Sequence, residues 1–213
     1  MIVVVDYHKG NLKSVERGLI TVGADARITD DVDEIKRADA IVLPGVGAFA
    51  DAANSMRELG QDEVIVERIQ EGVPFLGICL GLHLLFTGGT EHAEGKPTPG
   101  LGLIPGVVDA LPKTDMAGKP FKIPHVGWNT VDFLSKRPNP LFKGIKDREF
   151  FYFTHSYAAP HACEAIATTT HSITFPSAVQ VGKNAFAVQF HPEKSSDAGL
   201  KLLSNFVEIA ESA

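Results

Sequence analysis

The sequence predicts an α/β fold: a three-layer open sheet, mostly parallel, with an antiparallel extension. Two features carry this expectation. Up to Cys79, short β-branched runs alternate with segments of helical period, the pattern of parallel strands joined by right-handed crossovers. After Phe86 the segments turn short and β-like with no linker before them, which fits strands added to the same sheet rather than a new domain. Residues 1–213 are therefore expected to form one domain, a length that suits a single sizeable core.

Ile2–Val5 is β-branched and reads as a central strand buried on both faces. Leu12, Val15, Leu19 and Val22 recur at helical spacing, and Gly23 closes that helix. Residues 24–28 form a second strand, 29–36 hold a short polar helix, and 38–43 form a third strand that ends in Pro44-Gly-Val-Gly47. Helices over 48–59 and 62–70 follow, and Gly72 leads into a fourth strand, 73–78. Residues 80–86 continue as an apolar helix. The Gly-, Pro- and Thr-rich stretch 87–105 reads as a long loop. Beyond it, 106–111, 126–131, 149–157, 163–170, 178–181 and 185–190 are β-like. An amphipathic helix over 197–209, with Leu200, Leu203, Phe206 and Val207 on one face, closes the chain. Ligands of such sheets bind at the carboxyl ends of the strands.

With 20 basic and 26 acidic side chains, a net charge of −6 and a pI near 5.7, the chain is expected to be soluble. It offers nothing to nucleic acid or to an anionic membrane. Two cysteines, 79 and 163, form no disulfide framework, which points to a reducing, cytoplasmic compartment. The apolar start, Met1 to Val5, is too short for a signal peptide, and no stretch of about 18 apolar residues exists to span a bilayer.

The chemistry concentrates at Gly77-Ile-Cys79-Leu-Gly81, a G-x-C-x-G nucleophile elbow between a buried strand and a helix. Small flanking residues permit the sharp turn. The turn lifts Cys79 above the first unpaired amides of a helix, where a thiolate is favoured. The N–H of Leu80, the residue after the nucleophile, is placed to bind an oxyanion. The competing reading is a buried structural cysteine, which flanking glycines on both sides argue against.

A thiol needs a base, and His191 in His191-Pro-Glu193 stands at the end of an apolar run. Pro192 restricts His191 to extended backbone, from which Glu193 can orient the ring. Cys79, His191 and Glu193 thus fit nucleophile, base and orienter. Gly45-Val-Gly47-Ala-Phe-Ala50 matches a dinucleotide fingerprint but follows the third strand, with no acidic strand end about 20 residues on. It fits better as a second source of oxyanion amides near Gly47. The remaining histidines show no metal-ligand spacing, so neither metal nor cofactor is expected, and Cys163 reads as packing.

These residues resemble the class I (triad) glutamine amidotransferases, whose nucleophile and His–Glu signatures match 77–81 and 191–193. The stretches Asp6-Tyr7, Gly10-Asn-Leu12, residues 43–49, Pro124-His-Val-Gly-Trp-Asn129 and His155-Ser-Tyr157 are similar to the branch of that family in histidine biosynthesis. The resemblance implies a flavodoxin-like sheet and hydrolysis of glutamine to glutamate and ammonia through a Cys79 thioester. It further implies a heterodimer in which the ammonia passes to a (β/α)₈-barrel cyclase that makes imidazole glycerol phosphate and AICAR. It places Gly45, Gly47 and the backbone of His155, Ser156 and Tyr157 at the glutamine, and Asn11, Trp128 and Asn129 at the partner. Many members carry Met-Gln where this chain has Leu82-His83, so His83 either takes over a substrate contact or packs in the first helical turn. A stand-alone cysteine hydrolase would need no partner surface. A silent regulatory subunit would have no use for the triad.

Overall fold

The computed structural model describes residues 1–10, 12–135 and 139–213. The strands and helices in chain order are β1 (Ile2–Val5), α1 (Leu12–Thr21), β2 (Ala26–Thr29), α2 (Val32–Arg37), β3 (Ala40–Gly45), α3 (Phe49–Glu58), α4 (Gln61–Gln70), β4 (Phe75–Cys79) and α5 (Leu80–His83). Then come β5 (Phe86–Gly89), β6 (Thr98–Pro99), β7 (Ile104–Ala110), β8 (His125–Phe133), β9 (Glu149–His155), β10 (Tyr157–Ala158), β11 (Ala165–Thr170), β12 (Thr174–Val181), β13 (Ala185–Val188) and α6 (Ser196–Glu211).

Among the described residues the main sheet has nine strands, ordered β2-β1-β3-β4-β13-β12-β11-β8-β9. The pairs from β2 to β13 are parallel, and those from β13 to β9 are antiparallel. This is the α/β sheet with an antiparallel extension that the sequence predicts. Alternation along β1 explains the layers. Ile2 and Val4 join a core with Val15 and Leu19 of α1 and with Leu202, Leu203 and Phe206 of α6. Val3 and Val5 join the opposite core with Ile35 of α2, Ala52 and Met56 of α3 and Ile65 of α4. In α6, Leu202 takes the buried place and Leu200 is only half-buried.

Three expectations are corrected. The apolar helix over 80–86 is a single turn, α5, and Phe86 already begins a strand. The carbonyls of Leu84, Leu85 and Phe86 accept from the amides of Leu101, Leu103 and Gly102 instead of from amides further along a helix. The stretch 87–105 is therefore not one loop: it carries most of β5 and all of β6, which join β7 and β10 in a separate sheet ordered β10-β7-β5-β6. Packing requires glycine there, since a Cβ on Gly89 would press 2.5 Å from the Phe49 ring. Finally, Cys163 is exposed and precedes β11 rather than packing within it. Among the described residues, no helix is long and apolar enough to cross a membrane.

Candidate active site

Register delivers the nucleophile. β4 lies between β3 and β13, with Gly45 paired to Cys79 and Val188 to Ile78, so the carboxyl ends of three parallel strands meet at one point. Cys79 sits at φ 55°, ψ −104°, a strained conformation for a residue with a side chain and one found at functional turns. Close approach enforces glycine around it. A Cβ on Gly77 would come 2.7 Å from the Gly81 carbonyl oxygen, and one on Gly81 would land on the Leu43 carbonyl oxygen. The chain is thus folded back on itself so tightly that Cys79 is pushed out at the sheet edge.

His191 is held by its own backbone. Its N–H donates to the Tyr152 carbonyl at 2.9 Å, and its carbonyl accepts from the Ser195 hydroxyl at 2.6 Å. Pro192 opens a 3₁₀ turn over Pro192–Lys194, so Glu193 reaches the ring from a tight turn and not along extended backbone. The result is the one expected: His191 Nδ1 lies 2.8 Å from Glu193 Oε1, with both side chains buried. The Nδ1–H donates to the carboxylate, which leaves Nε2 on the far side of the ring, buried and with no hydrogen-bond partner among the described residues. Burial opposes charge on this ring, but the nearby Cys79 and the hydrogen-bonded Glu193 overcome it and push the pKa up to about 10. The raised pKa favours the charged, imidazolium form of the ring.

A cleft of about 260 Å³ opens over Cys79, lined by Val46, Gly47, Leu80, His83, Glu91 and residues 154–157. Gly47 has φ +98°, open to glycine and strained for any other residue. Leu80 begins α5, so its amide has no helical acceptor. Both proposed oxyanion donors thus stand at the cleft. Gly45 does not line it; it lies behind, where a Cβ would strike the Tyr7 hydroxyl and Leu80. His155, Ser156 and Tyr157 form the far wall. A larger hollow of about 610 Å³ lies near Met1 and Ala213, but it contains neither cysteine nor histidine and stands away from the elbow.

Behind the far wall runs a chain of hydrogen bonds whose proton positions follow from its ends. His155 Nδ1 donates to the Tyr157 carbonyl at 2.8 Å, so its Nε2 must accept from His125 Nδ1 at 2.9 Å. His125 Nε2 then accepts from Asn129 Nδ2 at 3.2 Å, and the same amide donates to the Thr170 carbonyl at 3.0 Å. Asn129 therefore faces inward and braces the cleft wall. Trp128, one residue earlier on β8, faces the other way and is 51% exposed. Asn11 lies outside the described residues.

Burial keeps His83 and His155 neutral, with pKa values lowered to about 4 and about 3, and His125 is lowered to about 4 by burial and by His171. Each titrates near 6.5 when unfolded, so below that pH the unfolded chain takes up protons that the native one refuses. Their contribution is intact above about pH 6.5 and lost as pH falls toward 4. His191 has the opposite sign: its raised pKa stabilises below about 6.5, and that is lost as pH rises toward 10. Urea unfolding should accordingly show stability falling on the acid side, by about 3 kcal/mol at pH 4 from His83 alone. A flat profile between pH 6.5 and 4 would contradict the buried neutral rings.

Sequence reasoning did not single out Gln189 or Glu91. Gln189 is a polar residue inside an otherwise apolar strand run, two before His191, and that placement was its signal. Glu91 accepts the Phe49 amide at the start of α3 at 3.2 Å and reaches the cleft from a segment without any motif.

The sequence profile of the class I glutamine amidotransferases matches residues 3–210. The chain belongs to the class I glutamine amidotransferase family. Its relatives in that family include the imidazole glycerol phosphate synthase subunit HisH of Caldanaerobacter subterraneus subsp. tengcongensis, 46% identical over 98% of both chains. The protein of the same name from Methanosarcina acetivorans is 45% identical, again over 98% of both. Among solved structures, a glutamine amidotransferase superposes with a TM-score of 0.73 at 20% identity, covering 99% of this chain and all of that one. The glutaminase domain of Trypanosoma brucei CTPS, with bound acivicin, gives 0.63 at 17% identity over 99% and 93%. At such identity the amidotransferase structures speak for the fold alone. The near full-length relatives speak for the branch.

Proposed function

We propose that this chain is the glutaminase subunit of an imidazole glycerol phosphate synthase, releasing ammonia from glutamine for a (β/α)₈-barrel cyclase partner in histidine biosynthesis. The observation that carries the reading is the buried Cys79–His191–Glu193 constellation at the meeting of three strand ends, in a chain with HisH relatives along nearly its whole length.

In this reading Cys79 attacks the side-chain amide carbon of glutamine as a thiolate, its proton already on His191. Backbone N–H groups of Leu80 and Gly47 hold the oxyanion. His191 returns the proton to the departing ammonia, and a thioester remains. Water, deprotonated by the same ring, then attacks the thioester, and glutamate leaves with Cys79 restored. Glu193 keeps the imidazole oriented and offsets its charge throughout. A cleft of about 260 Å³ suits one amino acid better than a polypeptide, and Glu91 at its rim offers a negative group to a substrate ammonium.

The partner surface is read from alternation on β8 and β9. Trp128 pairs with Tyr152, and Val126 with Thr154, so their side chains share the outer face with Phe150. Val126, Trp128 and Phe150 are each more than half exposed, an apolar group beside the active edge that suits a protein contact. Trp128 stays the residue to test there, while Asn129 supports it from the inner face.

Glutamate release should be measured for the chain alone and with the barrel cyclase and its nucleotide ligand. Stimulation by the cyclase is the expected result. Cleavage indifferent to the cyclase would make the chain a stand-alone hydrolase, and absence of cleavage with every addition would leave a regulatory subunit.

A further inference from the structure

Two groups flank the Cys79 sulfur besides His191. The Thr154 carbonyl oxygen lies 3.9 Å from Sγ, and Gln189 Nε2 lies 3.8 Å from it. A carbonyl can only accept, so Thr154 suits a thiol; an amide N–H can only donate, so Gln189 suits a thiolate. Gln189 follows Val188, the last residue of β13, which is in register with Ile78, and this places its fully buried side chain beside the nucleophile just past the end of the neighbouring strand. Its other amide atom, Oε1, is 2.7 Å from His83 Nε2. An accepting oxygen there obliges His83 to carry its proton on Nε2. The opposite tautomer would call the amide N–H to the ring and turn Oε1 toward the sulfur, where its lone pairs would repel a thiolate.

We propose that Gln189 holds the Cys79 sulfur in its thiolate form by donating to it, and that His83 is a positioning residue that fixes which way the Gln189 amide points. This rests on Cys79 being the nucleophile of the proposed site. It also gives the histidine that stands where many members carry glutamine a task within the enzyme: a donor at position 83 facing Oε1 keeps the amide aligned.

The other titratable groups around the sulfur are His191 with Glu193 behind it, Tyr7 after β1, His155 at the end of β9 and Glu91 across the cleft. Changes at 83 or 189 leave each of these residues in place, and of them only His155 feels the imidazole at 83, which helps to lower its pKa. The test is the pH dependence of Cys79 alkylation by iodoacetamide in a Cys163→Ser background, which removes the exposed second thiol, with the modified peptide identified by mass. Gln189→Leu should lower the alkylation rate at neutral pH about tenfold and shift its profile to higher pH by about one unit. His83→Leu should shift it in the same direction, and His83→Gln, which retains a donor, should restore the parent profile. Glutamine KM should change less than kcat. If Gln189→Leu does not fold, the contrast between His83→Leu and His83→Gln decides. Parent profiles in Gln189→Leu, or identical profiles in the two His83 variants, would overturn the proposal. Alkylation does not require turnover, so this failure is distinct from that of the glutaminase reading, which an active Cys79→Ala protein would reveal.

Discussion

Cys79→Ala is expected to lower glutamine hydrolysis by about 10⁵-fold while the protein stays folded. Removing the nucleophile of a triad leaves only positioning and oxyanion binding, which acting alone give a small residue of catalysis. Alanine keeps the Cβ and therefore meets the same backbone strain at φ 55° as cysteine does. Loss of one buried sulfur costs the core about 1 kcal/mol. The substitution has a second readout. Cys79 and Glu193 together hold the His191 pKa at about 10, so without the sulfur the imidazole should titrate markedly lower by NMR. A protein with turnover within about tenfold of the parent, or a His191 titration that does not move, would remove Cys79 from the mechanism.

Gly81→Ala is expected to lower stability by about 3 to 4 kcal/mol, or on the order of 10 °C in Tm for a chain of this size, and to abolish activity as well. The cause is space and not backbone conformation. Gly81 is not among the positive-φ glycines, yet a Cβ there would come 2.0 Å from the Leu43 carbonyl oxygen. β3 and α5 would have to separate, and that separation displaces the elbow. Gly102→Ala is the control: its φ is +70° and nothing lies within 4 Å of the added Cβ, so it should cost only the left-handed backbone penalty of about 1 kcal/mol. Thermal unfolding of the two variants separates the causes, and equal losses would refute the steric account.

The parallel half of the fold was legible because its signals are local. Ile2–Val5 is apolar at every position, as a strand buried on both faces must be, and Leu12, Val15 and Leu19 mark a helix by their spacing. Residues 80–104 were not legible. An apolar run such as Leu-His-Leu-Leu-Phe is equally suited to a helix or to strand, and the choice fell to distant amides: Leu101 to Ile104 claim the carbonyls of Leu84 to Phe86. The second sheet follows from that capture.

The site divides in the same way. Gly77, Cys79, Gly81, His191 and Glu193 could be named from the sequence because a sharp turn and a proline-restricted histidine leave their constraints in neighbouring residues. The placement of Trp128 outward and Asn129 inward depended on which face of β8 the sheet covers, something a run of adjacent polar and aromatic residues does not encode. Gln189, Glu91 and the His125–His155 pair owe their roles to partners at least 30 residues away in sequence. The order of parallel strands and helices, the elbow and the triad are encoded locally, since each is written in residues close along the chain. The second sheet, the direction of each side chain around the cleft and the tautomers of the buried histidines arise only on folding, because hydrogen bonds between distant segments set all three.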